Sequence, residues 1–312
     1  MELEINHDIW QGRFDGDNPL HHRIFQRVSL EKDYNNVSPK DFILHGFAVD
    51  EGVRRNKGRI GAKNAPDIIR KNMANFPVVH SEFILKDFGN ISCNDGNLEK
   101  SQNDLAEKVS KILEKNAQSI VLGGGHEVTF AHYSGIRKAF PYKKIGIINF
   151  DAHFDNREPE IGVGASSGTG FWQIAQEGEI HSLHIGIQRN SNTLQLFDTA
   201  HKFGMKYILA EELFFENLIH LYPKIDEFLN EIDVLYITIC MDVFNASIAP
   251  GVSAAAYNGI FADAVFLAIF RHLLQNPKMK ALDIAEVNPT YDIADRTARL
   301  ASSLVNEWLM IP

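Results

Sequence analysis

The chain has 312 residues, of which 45% are apolar and 23% charged, the balance of a globular protein and not of a disordered one. Its formal net charge of −9 speaks against a nucleic-acid or anionic-membrane binder, which would show a basic face. Any anionic substrate must therefore find local arginines. Two cysteines, Cys93 and Cys240, are too few for a disulfide-built scaffold.

Residues 1–39 are polar and aromatic without a strong period and read as an N-terminal arm with a short helix or two, ending near Pro39. Met1-Glu2-Leu3-Glu4 lacks the basic and apolar regions of a signal peptide. No apolar run approaches the ~20 residues of a membrane span, so the cytoplasm is the expected compartment. Residues 42–49 predict a strand and 50–64 a loop rich in Arg, Lys and Gly. A helix follows over 65–76, with Pro66 in its first turn and Asp67 at the N-terminal dipole. A weak strand over 83–88 precedes a helix over 98–116, spaced by Leu105, Val109, Ile112 and Leu113. Next come a strand at 119–122, a helix at 127–140, a strand at 145–150 and a Gly- and Ser-rich loop at 157–170. A helix at 171–177, a strand at 182–187 and helices at 193–203, 210–216 and 218–231 follow. The last elements are a strand at 234–239, a long loop through Pro250-Gly251, a helix at 261–275, a strand at 279–286 and a helix at 294–308. Strands alternating with helices predict parallel βαβ units, and no repeat or linker divides the chain. Residues 1–312 are read as one α/β domain.

The chemistry gathers at strand ends. In an extended backbone, Asp151, His153 and Asp155 share one face just past the run Ile145 to Ile148. The strand at 119–122 leads into Gly123-Gly124-Gly125-His126-Glu127, and that at 234–239 into Cys240-Met241-Asp242. Open α/β sheets build sites at the carboxyl ends of strands. Imidazole and carboxylate donors together suit Mn²⁺, Zn²⁺ or Fe²⁺, and one bridging carboxylate could hold two ions about 3.5 Å apart.

Other motifs fit less well. The three glycines could cradle a phosphate, but His126-Glu127 stands where a P-loop needs Lys and Ser/Thr, so a tight turn is the better reading. Gly164-Ala165-Ser166-Ser167-Gly168 matches the GxSxG elbow of serine hydrolases without the strand that motif requires. Arg157, two residues past Asp155, is suited to grip a carboxylate with both guanidinium edges. Arg189 and Arg271 read as surface residues, and His132, His181, His184 and His201 as surface or core. Glu286 ends a strand, and a structural carboxylate and a substrate contact are both open there.

Together these residues resemble the ureohydrolases: arginase, agmatinase and formimidoylglutamase. Gly123-Gly124-Gly125-His126-Glu127 resembles the first metal motif, Asp151-Ala152-His153-Phe154-Asp155 the second, and Asp242 to Pro250-Gly251 the third. Gly58-Arg59-Ile60-Gly61-Ala62, Ser166-Ser167-Gly168-Thr169 and Asp283-Ile284-Ala285-Glu286-Val287-Asn288-Pro289 point to the formimidoylglutamase branch. Ser167 stands where arginase and agmatinase carry histidine.

The resemblance implies an arginase-like three-layer α/β/α sandwich around a mainly parallel sheet, with two Mn²⁺ ions. One ion would be held by His126, Asp151 and Asp155, the other by His153, Asp151 and Asp242. It implies hydrolysis of N-formimidoyl-L-glutamate to L-glutamate and formamide, in histidine degradation, by a metal-bound hydroxide. Asp155 would relay a proton, Arg157 and Ser167 would bind the substrate, and Glu286 would face its reacting end. A small-molecule substrate and a homo-oligomer follow from the same resemblance. One departure stands out: the family's third motif begins with a second bridging aspartate, and here Cys240 replaces it. Three states stay open: a dinuclear enzyme with one soft ligand, a weak mononuclear enzyme, or a metal-poor binding protein. Retention of every other ligand favours the hydrolase.

Overall fold

The structure, a computed structural model, describes residues 7–80 and 84–311; Met1-Glu2-Leu3-Glu4 and Phe83 lie outside them. Among the described residues nine strands form one sheet: β1 (Val28–Leu30), β2 (Phe42–Ala48), β3 (Leu85–Ser92), β4 (Gln118–Leu122), β5 (Ile145–Phe150), β6 (His181–Ile187), β7 (Lys206–Leu209), β8 (Val234–Cys240) and β9 (Met279–Ala285). They lie in the order β1-β3-β2-β4-β9-β8-β5-β6-β7, and every pairing is parallel.

The helices are α1 (Glu51–Arg55), α2 (Ala65–Met73), α3 (Leu98–Leu113), α4 (Val128–Ala139), α5 (Gly170–Gln176), α6 (Leu194–Lys202), α7 (Leu218–Glu231), α8 (Ala264–Leu274) and α9 (Arg296–Leu309). The central strands are apolar at successive positions because both sheet faces are covered. Ile120 and Leu122, Ile148 and Phe150, and Ile237 and Ile239 pack against Ile69 of α2, Phe270 of α8 and Val305 of α9. Their alternates Val121, Ile147 and Tyr236 pack against Val109 of α3 and Ile136 of α4. These layers make the three-layer α/β/α sandwich that the alternation of elements implies.

Three local expectations are corrected. Residues 50–64 are not simply a loop: Glu51 pairs with Arg55 one turn on (3.0 Å) and stabilises the short helix α1, and a 3-10 turn follows at Ala62–Asn64. Residues 210–216 form no α-helix; the chain leaves β7 through 3-10 turns at Ala210–Glu212 and Phe215–Asn217, the first closed by a bond from Leu209 N to Glu212 Oε2 (2.8 Å). The strand sought at 83–88 runs instead over Leu85–Ser92. Within the stretch read as an arm, Val28–Leu30 forms edge strand β1 beside β3. β1 and β7 are short edge strands, three and four residues long, and offer too little apolar sequence to show a period.

A buried ion pair ties these layers together. The guanidinium of Arg70 on α2 donates through Nε and Nη2 to both oxygens of Asp87 on β3, each at 2.8 Å. Trp10 Nε1 donates to Asp87 as well (2.8 Å), anchoring the N-terminal stretch on the same carboxylate. Removing one partner leaves the other charge buried. Asp87→Ala is expected to cost about 3–5 kcal/mol in urea unfolding; an unchanged midpoint and slope would show the pair to be dispensable.

Candidate metal centre

β5 ends at Phe150 and the chain then bends through Ala152 and His153. Asp151 caps that bend, its Oδ1 accepting from the backbone N–H of His153 (2.8 Å). Asp155 adopts a left-handed backbone, φ +47°. The convergence of Asp151, His153 and Asp155 therefore arises from a side-chain-capped bend, and not from continued strand alternation.

At the end of β4, the Gly123-Gly124-Gly125 turn spends its amides on backbone. Gly123 N–H donates to Ile284 O (2.7 Å), Gly124 to Phe47 O (2.7 Å) and Gly125 to Val49 O (3.0 Å). These amides are not available to cradle a phosphate. A Cβ on Gly124 would collide with the Val49 carbonyl, so the close approach itself requires glycine. The turn delivers His126 to the other side of Asp151.

His126 Nδ1 lies 2.8 Å from Asp155 Oδ2 and 3.1 Å from Asp151 Oδ2. Its Nε2 is 2.9 Å from the hydroxyl of Thr238 on β8, and its backbone N–H donates to Glu286 Oε1 (3.0 Å). His153 Nδ1 lies 3.4 Å from Asp242 Oδ2 and 3.5 Å from Asp151 Oδ1. The two oxygens of Asp151 thus face opposite histidines. Two sets of ligand atoms fall within 4.8 Å of one another: His126, Asp151 and Cys240, and Asp151, His153 and Asp242.

Charge explains the arrangement. Asp151 is buried, yet the imidazoles of His126 and His153 overcome the burial penalty and hold its pKa far below the usual range. Burial pulls both histidines down, but Asp151 and Asp155 raise His126, and Asp242 and Asp151 raise His153, well above the ordinary value. Burial and the charge of Asp151 push Asp242 up to about 6 and also raise Asp155. Burial raises Cys240 and Glu286 well above their usual ranges. Imidazole protons here do the electrostatic work that a cation would do. Asp242 Oδ1 and Glu286 Oε2 are buried without a hydrogen-bond partner. Facing imidazole nitrogens, carboxylate oxygens and orphaned acceptors form a donor set that fits divalent ions.

A cavity of about 180 Å³ opens onto the cluster, lined by His153, Asp155, Cys240, Asp242 and Glu286 together with Arg157 and Ser167. Arg157 is exposed; Ser167 and Glu286 are buried. Arg189 and Arg271 lie at the surface, paired with Glu211 (3.0 Å) and Glu307 (2.7 Å). Ser166 stands in a loop with no preceding strand.

Residues 40–311 match the model of the arginase family. The chain belongs to that family. It is 38% identical over 315 residues to a formimidoylglutamase of Staphylococcus carnosus (strain TM300), covering 99% of this chain and all of the relative. A formimidoylglutamase of Geobacillus sp. (strain WCH70) is 42% identical over 317 residues, covering 99% and 96%. Among solved structures, the formimidoylglutamase of Bacillus subtilis superposes with a TM-score of 0.85 at 23% identity, covering 95% of this chain and 93% of the other. The formiminoglutamase of Trypanosoma cruzi with Mn²⁺ gives 0.79 at 25% identity, covering 87% and 93%. Among the described residues no helix is long and apolar enough to cross a membrane.

Several site residues were not singled out by sequence reasoning. Asn56 and Ser253 line the cavity, and each comes from a different loop. Arg59 clips the wall together: its backbone N–H donates to Ser253 Oγ (2.8 Å) and its guanidinium to the carbonyls of Ser253 and Val252. Thr238 could have been found, because it precedes Cys240 by two and so shares its strand face. His184, assigned to surface or core, is buried behind the site, with Asn149 Nδ2 donating to its Nδ1 (3.1 Å); burial brings its pKa down to about 3.

Metal uptake should be pH-dependent in a known direction. Ligand imidazoles must be unprotonated, and both histidines hold protons tightly in the metal-free fold, so a divalent ion displaces protons and binds better as pH rises. Calorimetry at about pH 6 and about pH 8 is expected to show at least roughly tenfold tighter Mn²⁺ binding at the higher pH, with proton release. Equal affinity without proton release would contradict this electrostatic account.

Proposed function

We propose that this chain hydrolyses N-formimidoyl-L-glutamate to L-glutamate and formamide. Near-full-length identity to curated formimidoylglutamases, 38% and 42%, is the observation that carries the reading. In the reaction the bond between the formimidoyl carbon and the glutamate nitrogen breaks. The oxygen of water joins that carbon, one of its protons ends on the departing nitrogen, and the other ends on the nitrogen kept in formamide.

His126, Asp151 and Asp155 would hold one ion, and His153, Asp151 and Asp242 the other, with Asp151 shared and Cys240 beside the first. When bound, a Mn²⁺ pair supplies Lewis acidity and makes water nucleophilic at neutral pH. Manganese is supported by the Trypanosoma cruzi relative, solved with Mn²⁺, and by the nitrogen and oxygen donors. Arg157 and Ser167, both lining the cavity, would bind the substrate, Arg157 gripping a glutamate carboxylate with two hydrogen bonds. Glu286 Oε2, buried and free, would accept an N–H of the amidine and orient its carbon. Asp155 lines the cavity and would carry the proton from water to the leaving nitrogen. Histidine breakdown as the pathway, the cytoplasm as the compartment, the whole chain as one domain and assembly into a homo-oligomer belong to the same proposal by family resemblance.

The test is glutamate release from N-formimidoylglutamate by Mn²⁺-loaded protein, with agmatine and guanidinobutyrate as alternative substrates. Wild type is expected to turn over only the first, and Asp151→Ala to abolish turnover. Arg157→Met is expected to raise KM roughly 10–100-fold with kcat nearly kept, about 1.5–3 kcal/mol for a hydrogen-bonded charge. Silence of the loaded wild type on formimidoylglutamate, or activity in Asp151→Ala, would overturn the reading.

A further inference from the structure

The two halves of the centre are chemically unlike. One set of converging ligand atoms is His126, Asp151 and Cys240, with Asp155 2.8 Å from the same imidazole nitrogen. The other, Asp151, His153 and Asp242, contains only nitrogen and oxygen. Sulfur converges with the ligands of the first set, and it reaches the second only through a hydrogen bond to Asp242. Its position is not accidental to a loop: Cys240 is the last residue of β8, 1% exposed and in register with Ala285 of β9. It also lines the cavity onto which both sets open.

Carboxylates are hard donors, and thiolates are soft. Mn²⁺ is matched by oxygen and imidazole, whereas Zn²⁺, Fe²⁺ and Co²⁺ accept mixed nitrogen, oxygen and sulfur ligation. We infer that the centre is selective at each position: a borderline-soft ion of the Zn²⁺ class binds between His126, Asp151, Asp155 and Cys240 through a sulfur bond, and a hard ion such as Mn²⁺ binds between His153, Asp151 and Asp242. On binding, the S–H bond of Cys240 breaks, a sulfur–metal bond forms and the proton passes to solvent; no electron is transferred. This inference rests on the metal-centre reading above, though not on the identity of the substrate. Cys93, partly buried just past β3 and not lining the cavity, serves as an internal control.

The experiment uses the full chain, stripped of metal and titrated with Co²⁺ as a spectroscopic probe. A near-ultraviolet thiolate-to-cobalt charge-transfer band is expected to saturate at one equivalent. Cys93→Ser should keep it, and Cys240→Asp and Cys240→Ser should lose it while their far-ultraviolet circular dichroism stays that of the wild type. Dialysis against Mn²⁺ in large excess over Zn²⁺, which offsets the general preference of nitrogen and oxygen donors for Zn²⁺, followed by metal analysis, should leave one of each per wild-type chain. Cys240→Asp should move the bound Zn:Mn ratio towards Mn by roughly tenfold or more. If neither variant folds, the band in wild type and Cys93→Ser decides. Cobalt bound without the band, or an unchanged Zn:Mn ratio in Cys240→Asp, would overturn this inference and leave the metal centre standing. No cobalt binding at all would overturn both. A protein that shows the band but releases no glutamate would refute the proposed substrate alone.

Discussion

The carboxylate of Asp151 is fully buried just past the end of β5, and the rest of the site follows from the need to balance its charge. An ionised carboxylate withdrawn from water carries a penalty of several kcal/mol unless opposite charge and hydrogen bonds surround it. Here an imidazole stands on each side, one to each carboxylate oxygen. No single loop could bring both. The sheet does so because all its strands run parallel, which puts their carboxyl ends along one rim. β4, β9, β8 and β5 are consecutive in space although scattered in sequence. From their ends come His126, Glu286, Cys240 with Asp242, and Asp151 with His153 and Asp155. The strand order is thus also the order of the site.

Holding that arrangement demands unusual backbone. Asp155 and Glu286 both sit in the left-handed region, at φ +47° and +66°, where side chains other than glycine and asparagine are uncommon. Neighbouring contacts impose it: Glu286 N–H donates to Gly124 O (2.7 Å), while the carboxylate of Glu286 accepts from His126 N–H. Were His126 to hold an ion through Nδ1, its Nε2 would be left to donate to Thr238, and that contact would fix the ring's orientation and tautomer. Behind it, Tyr236 and His132 converge on the buried Asp283, and Ser119 closes the other side of His132 at 2.9 Å. Polar groups buried this deeply rigidify a site only when nearly every one is partnered.

The sequence revealed most where one strand or turn carries a whole message. Runs such as Val234 to Ile239 are legible because burial on both faces forces continuous apolar residues. The Asp151–Asp155 stretch is legible because its ligands are close neighbours, although the geometry read from it was wrong: a bend, and not an extended strand, gathers them. β1 and β7 escaped because edge strands need little apolar sequence, and α1 because ion pairs and not a hydrophobic stripe support it. Asn56 and Ser253, and the contact that Arg59 makes with Ser253, escaped for another reason. They meet across nearly two hundred residues of chain, as Arg59 and Ser253 do, and no local pattern records a contact made only by the fold.

Cys240 shows how far a donor can change while the architecture stays fixed. Tyr236, Thr238 and Cys240 alternate along β8 and share one face. Tyr236 is held by Asp283, Thr238 by His126, and Cys240 by its register with Ala285, so the strand sets where the donor atom lies before its chemistry is chosen. A carboxylate and a thiol at such a position differ little in the space they need within the fold and greatly in the ions they prefer. A loop ligand could swing away from an unsuitable metal. A ligand at the end of a central strand cannot, and it must either bind the ion offered or select another. The rigidity that fixes the proposed ion positions is therefore also what would let one side chain decide which ions bind there.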